Sequence, residues 1–125
     1  MAKILIADDE EPIRSLVKRL LSIHGHKVDG AADGAEAIEM LQKGSYDLVI
    51  LDRQMPKLSG IEVLAIVRTN PKFQSLKILM FTQASTTKDV DEAFESGVDG
   101  YIVKPFRGQQ FFDKVQALLA KTDPK

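Results

Sequence analysis

The sequence has 125 residues, 44% of them hydrophobic, and a formal charge of -1 from 17 basic against 18 acidic side chains. That suits one globular domain with core enough to fold unaided, and the near-neutral balance gives no support for a nucleic-acid partner. The absence of cysteine excludes disulfides, thiolate metal sites and cysteine nucleophiles, and the apolar runs are too short for a membrane span.

Two periods alternate along the chain. Residues 4–7 are a continuous apolar run, the pattern of a strand covered on both faces. Acidic residues follow at once, so the run is not a secretory signal, and a cytoplasmic protein is expected. Ile13, Leu16, Val17, Leu20 and Leu21 keep to one helix face, closed by Gly25. His24 and His26 beside that end are read as partners of the helix dipole rather than metal ligands. Lys27–Ala31 predicts an edge strand, because Lys27 and Asp29 are charged. Asp33 caps a second helix through Ala37, Ile38 and Leu41 to Gly44. Leu48–Leu51 is the most strongly apolar strand candidate and is expected at the centre. Ile61, Leu64 and Val67 mark a third helix, ended before Pro71.

Lys77–Thr82 predicts a fourth strand, and residues 86–96 a fourth helix closed by Gly97. Its apolar face is only Val90, Ala93 and Phe94, so it is expected to be the least firmly packed helix. Gly100–Val103 predicts a fifth strand. Phe111, Phe112, Val115, Leu118 and Leu119 line a fifth helix, with the two phenylalanines as anchors. Met40 and Met80 are placed in or near the core. Residues 122–125 read as a polar tail beyond a domain of residues 1–121.

Five strands alternating with five helices predict an α/β fold, a doubly wound parallel sheet covered on both faces. Ligands of such sheets sit beyond the carboxyl ends of the strands. Asp8, Asp9 and Glu10 follow the first strand and Asp52 the third; Thr82 ends the fourth, and Lys104-Pro105 follow the fifth. Gathered carboxylates repel, and their pKa values rise unless a cation compensates. Such oxygen donors suit Mg²⁺. A carboxylate beside that ion can take a phosphoryl group as an aspartyl phosphate, with Lys104 and Thr82 placed to bind its oxygens. Each residue also has a plainer reading: a helix-start acidic cluster, a strand threonine, a solvated lysine. Asp52 tips the balance, since an unpaired carboxylate ending a buried strand is costly without a purpose.

Together, Asp8-Asp9, Asp52 with Met55-Pro56 and Gly60, Thr82, and Lys104-Pro105-Phe106 resemble the receiver domain of two-component response regulators, of the stand-alone chemotaxis-receiver kind. The likeness runs from Lys3 to about Lys121. It implies a flavodoxin-like sheet of five parallel strands in the order 2-1-3-4-5. It also implies that Asp52 is the phosphoacceptor. Mg²⁺ would be held by Asp9, by Asp8 directly or through water, by Asp52 and by the backbone carbonyl of Gln54. Lys104 would contact the phosphoryl group, Thr82 would turn inward to it with Tyr101 as the switch aromatic, and the Lys104-Pro105 bond would be cis.

The implied donor is a phosphohistidine on a sensor histidine kinase or phosphotransfer protein. The implied output is a downstream protein target engaged by the fourth helix, fifth strand and fifth helix. The chain would be monomeric, or weakly dimeric through that face. Its role would be regulatory, with catalysis confined to its own Mg²⁺-dependent phosphorylation and hydrolysis. Two departures are expected to alter rates: Gln83 follows Thr82 where the family usually keeps a small residue, and Arg53 and Gln54 add polar bulk after Asp52.

The main alternative is a receiver-fold binding module that works without phosphorylation. Loss of an acidic ligand, Asp52 or Lys104 would mark it, and all are present. A phosphatase with its nucleophile after the first strand would carry Asp-x-Asp, where this chain has Asp8-Asp9-Glu10. A flavin-binding reading lacks a Ser/Thr-rich phosphate loop at the same place.

Overall fold

The five apolar segments pair side by side in one parallel sheet, in the order β2-β1-β3-β4-β5, in a computed structural model that describes residues 2–120. The strands are β1 (Lys3–Ala7), β2 (Lys27–Ala31), β3 (Leu48–Leu51), β4 (Lys77–Thr82) and β5 (Gly100–Val103). Between and after them run α1 (Glu11–Ser22), α2 (Gly34–Lys43), α3 (Gly60–Arg68), α4 (Thr87–Glu95) and α5 (Gly108–Ala120). A short 3-10 turn, Pro71–Phe73, precedes β4. The charged strand β2 lies at an edge and the wholly apolar β3 at the centre, as expected. The proposed tail lies outside the described residues.

Strand alternation divides the core in two. Ile4, Ile6, Leu48, Ile50, Leu79 and Phe81 pack against Val17 and Leu21 of α1 and Phe111, Val115 and Leu118 of α5. Leu5, Ala7, Val49, Leu51, Ile78 and Met80 face Ala37 and Leu41 of α2, Val63, Leu64 and Val67 of α3, and Ala93 of α4. Successive side chains on opposite, equally covered faces explain why these strands read as unbroken apolar runs. Met40 is partly buried against the second layer. No helix among the described residues is long and apolar enough to cross a membrane.

Local chemistry fixes the helix ends. Asp33 accepts the Glu36 N–H at 2.8 Å. Ser59 with Glu62, and Thr86 with Asp89, form capping boxes on α3 and α4. Gly25 and Gly97 adopt φ of +88° and +107°, which lets the next residue return its N–H to Leu21 and to Ala93 respectively.

Two expectations need correction. Backbone N–H groups of His24, Gly25 and His26 cap the end of α1, while the histidine rings contact α5. His24 stacks on Phe112 at 3.8 Å, while His26 Nε2 lies 2.8 Å from Gln116 Oε1 and its Nδ1 accepts the Ala2 N–H at 3.2 Å. On α4, Ala93 is buried but Phe94 is 48% exposed. One residue turns the helix by about 100°, so the ring next to Ala93 swings away from the sheet. The thin packing expected of α4 is therefore thinner still.

Candidate functional site

Backbone pairing continues one residue past β1, β3 and β5 and sets Asp8, Asp52 and Lys104 in a row. Asp8 N–H donates to Ala31 at 3.1 Å, Asp52 N–H to Ala7 at 2.9 Å, and Lys104 N–H to Thr82 at 2.8 Å. The side chains that follow converge. Oxygens of Asp8, Asp9 and Asp52 lie within 4.8 Å of one another, with Asp8 and Asp52 buried and Asp9 exposed. Lys104 Nζ donates to Asp8 Oδ2 at 2.6 Å and to Asp52 Oδ2 at 3.0 Å, and lies 3.7 Å from Glu10 Oε1. The Lys104-Pro105 bond is cis, as expected.

The remaining carboxylate oxygens face the backbone. Asp8 Oδ1 accepts the Glu10 N–H at 2.9 Å, and Asp52 Oδ1 the Gln54 N–H at 3.1 Å. Arg14, which no sequence pattern singles out, donates to the Asp8 carbonyl at 2.8 Å. Burial pushes the Asp8 carboxyl above the usual range, opposed by its bonds to Lys104 and to the Glu10 N–H. Burial also works against the Lys104 ammonium, but its bonds to Asp8 and Asp52 outweigh that and hold its pKa above the ordinary lysine value. Four carboxylates around one ammonium leave an excess of negative charge. The donors are all hard oxygens, so the group fits a divalent cation such as Mg²⁺.

Thr82 is 1% exposed, and its Oγ1 accepts the Ala84 N–H at 3.4 Å. The Tyr101 hydroxyl donates to the Ala84 carbonyl at 2.6 Å. Both proposed switch residues therefore hold the same residue of the loop between β4 and α4. Above the carboxylates is a cavity of about 210 Å³ lined by Asp9, Glu10, Asp52, Gln54, Thr82, Gln83 and Lys104. Gln83 is exposed at that cavity. A groove of about 590 Å³ beside it runs along Arg53, Gln54, Met55 and Pro56. A cleft of about 680 Å³ opens at the opposite edge of the sheet, but its lining holds a single carboxylate, Asp47, already bonded to the Lys3 N–H at 2.8 Å. The converging carboxylates and the ammonium line the smaller cavity.

Gly60 belongs to the receiver-like sequence pattern. The structure supplies a reason: a Cβ there would lie 2.3 Å from the Asp52 carbonyl oxygen. Arg53 stands in the sequence only as polar bulk, whereas its guanidinium reaches Asp89 and Glu92 of α4. Those partners are in another element, and no local spacing signals them.

The response regulator receiver domain model matches residues 4–116. The chain is 38% identical over 120 residues to chemotaxis protein CheY-3 of Vibrio cholerae serotype O1, covering 95% of this chain and 92% of that protein. It is 35% identical over 122 residues to chemotaxis protein CheY of Pseudomonas aeruginosa, covering 97% and 98%. Among solved structures, the chemotaxis response regulator CheY4 of Vibrio cholerae matches with a TM-score of 0.90 at 35% identity, covering 94% of this chain and 98% of that one.

Proposed function

The chain belongs to the response regulator receiver domain family of two-component systems, and from that membership we propose that it is a switch operated by phosphorylation of Asp52. The observation that supports this most is the Lys104 ammonium bonded to both Asp8 and Asp52, with Asp9 alongside, beneath an open cavity.

An Asp52 carboxylate oxygen attacks the phosphorus of a phosphohistidine on a sensor kinase or phosphotransfer protein. The new P–O bond forms as the P–N bond breaks, and the imidazole leaves with the electron pair and takes up a proton. Lys104 draws the phosphoryl oxygens by charge. Thr82 uses one lone pair on the Ala84 N–H, which leaves its O–H free to donate to them. Asp8, Asp9, Asp52 and the Gln54 carbonyl are the groups that would hold Mg²⁺, which neutralises charge on the transferring group when bound. Hydrolysis reverses the state: a water oxygen attacks phosphorus, the acyl-phosphate P–O bond breaks, and phosphate leaves the Asp52 carboxylate free. Gln83 and Gln54 line the approach and set these rates.

The signal leaves through Ala84, which Thr82 and Tyr101 both hold. A shift there moves α4 and the edge strand β5, whose exposed Phe94 and Val103 offer apolar surface to a downstream protein. The test is direct. Incubated with acetyl phosphate and Mg²⁺, the wild-type chain should gain the mass of one phosphoryl group, and neither Asp52→Asn nor an EDTA-treated sample should. Equal gain by Asp52→Asn would overturn the assignment.

A further inference from the structure

Arg53 follows Asp52 directly, yet its side chain points away from the acidic cluster to α4. Nη1 donates to the Asp89 carbonyl at 3.1 Å, and Nη2 pairs with the Glu92 carboxylate and lies 4.0 Å from Asp89 Oδ1. Asp89 and Glu92 are three residues apart, on one face of the helix. Asp89 is also the residue that closes the capping box with Thr86, at the start of α4. The Arg53 side chain is 17% exposed and Glu92 is 49% exposed, so the pair is part-covered and its outer end is open to screening by salt.

The other end of Arg53 is equally fixed. Its carbonyl accepts the Gly60 N–H at 2.8 Å, and Gly60 itself abuts the Asp52 carbonyl. The apolar hold on α4 is slight, since Ala93 alone of that helix is buried. Arg53 also stands close to the switch aromatic: burial raises the Tyr101 pKa, and the Arg53 guanidinium opposes that rise.

We infer that Arg53 is a positioning residue, an ionic tie from the phosphoacceptor loop to α4 through Glu92 and Asp89. With it in place, a displacement at Asp52 is delivered to the helix directly, in parallel with the route through Thr82, Ala84 and Tyr101. The coupling part of this inference rests on phosphorylation at Asp52; the tie itself does not.

The experiment compares the wild-type chain, Arg53→Ala, Glu92→Gln and the double variant by amide hydrogen exchange. Arg53→Ala should speed exchange across residues 87–95 about fivefold and leave the β1 and β3 amides unchanged. Glu92→Gln should speed it less, because Arg53 keeps its bond to the Asp89 carbonyl, and the double variant should be no faster than Arg53→Ala. High salt should narrow the gap between wild type and variants. With Mg²⁺ and beryllofluoride, which stands in for the phosphoryl group, the chemical-shift response of α4 should shrink in Arg53→Ala while its mass gain from acetyl phosphate persists. Wild-type exchange in α4 of both single variants, strictly additive effects, or a full α4 response in Arg53→Ala would each overturn the inference. A wild-type chain that takes no phosphoryl group would refute the proposed function, and the exchange comparison would still decide the tie.

Discussion

Lys104 donates to Asp52 Oδ2 at 3.0 Å while its shorter bond, 2.6 Å, goes to the fully buried Asp8. The ammonium thus serves the fold and the proposed phosphoacceptor together. It neutralises carboxylates that would otherwise repel at the edge of the sheet.

Removing that ammonium should separate the two roles. Lys104→Ala leaves Asp8 buried without its cation, and breaking a buried pair from one side costs about 3 kcal/mol. Mg²⁺ should therefore raise the melting temperature of Lys104→Ala more than that of wild type, measured by calorimetry with and without EDTA. The variant should still accept phosphate from acetyl phosphate, more slowly, but amide shifts of α4 and Tyr101 should no longer respond to beryllofluoride. A full wild-type shift pattern would show that Lys104 does not carry the coupling.

Gly60 is held to its identity by distance. A methyl at Gly60 would meet the Asp52 carbonyl oxygen at 2.3 Å and the Arg53 Cα at 2.8 Å, both backbone atoms that cannot rotate aside. Gly60→Ala should displace the loop after Asp52 and destabilise the fold by roughly 1–3 kcal/mol, the usual cost of overpacking. Phosphoryl acceptance should fall in the surviving folded fraction, read by intact mass against the urea midpoint. Normal acceptance together with normal stability would show that the loop yields freely.

Arg68 closes the opposite end of α3. Its Nε donates to Gly97 at 2.8 Å, Nη1 to Phe73 at 3.2 Å and Leu76 at 2.9 Å, and Nη2 to Asp99 Oδ2 at 2.8 Å. Asp99 also accepts the Ile78 N–H at 2.8 Å, so one fork joins α3, the start of β4 and the turn before β5. Arg68→Ala should cost about 2–4 kcal/mol and lower the urea midpoint without changing the slope. Arg68→Lys should recover only part of this, because a single ammonium cannot span the fork. A loss under 1 kcal/mol would mean that water replaces these bonds without penalty.

What the sequence disclosed and what it hid follow from the range of the interactions. Leu48–Leu51 showed itself as a buried central strand because covering both faces leaves no polar position in it. Asp8, Asp52 and Lys104 were legible because each directly follows its strand, and a parallel sheet puts all such ends on one edge. Arg68 and Arg53 were not, since their partners lie in other elements and any exposed arginine looks alike in sequence. Phe94 was misplaced for a geometric reason: on a helix of nine residues, an apolar residue next to the buried one sits off the contact line. The capping boxes are local signals, Ser59 to Glu62 and Thr86 to Asp89, at the starts of α3 and α4.

Tyr46 carries a pH signature remote from the site. Its hydroxyl donates to Asp29 Oδ2 at 2.7 Å, and burial, then this bond and the Asp29 charge, push its pKa up to about 12. The folded value exceeds the unfolded one of about 10, so the folded state binds the extra proton. The stability it contributes is complete below about pH 10 and is lost as pH rises from about 10 toward 12. Tyr46→Phe should flatten that alkaline limb in urea titrations. Asp29→Asn should bring the phenol down but not to the ordinary value, because burial remains. Ultraviolet absorbance of the phenolate, with Tyr101 as the sole tyrosine in Tyr46→Phe, reads both. An ordinary Tyr46 titration in the wild type would contradict the geometry.

Gln83 faces a sharper choice between two actions. It lines the cavity over Asp52 and is exposed at its mouth, so its amide can lie across the path of donor and water alike. That placement favours shielding. The rival is catalysis of hydrolysis, as when a glutamine orients the attacking water in small GTPases. Orientation requires a fixed side chain, and an exposed amide at the mouth of an open cavity is poorly fixed. Removing that steric block should change each rate by about tenfold, roughly 1.4 kcal/mol of barrier. Gln83→Ala should therefore speed both phosphorylation by acetyl phosphate and loss of the phosphoryl group, followed by time-resolved intact mass. Gln83→Glu sharpens the test. Its charge should slow phosphorylation by repelling the anionic donor, whereas the loss of an amide that orients water would show first in hydrolysis. Slower hydrolysis in Gln83→Ala would assign the water-orienting role, and unchanged rates in both directions would leave Gln83 outside the chemistry.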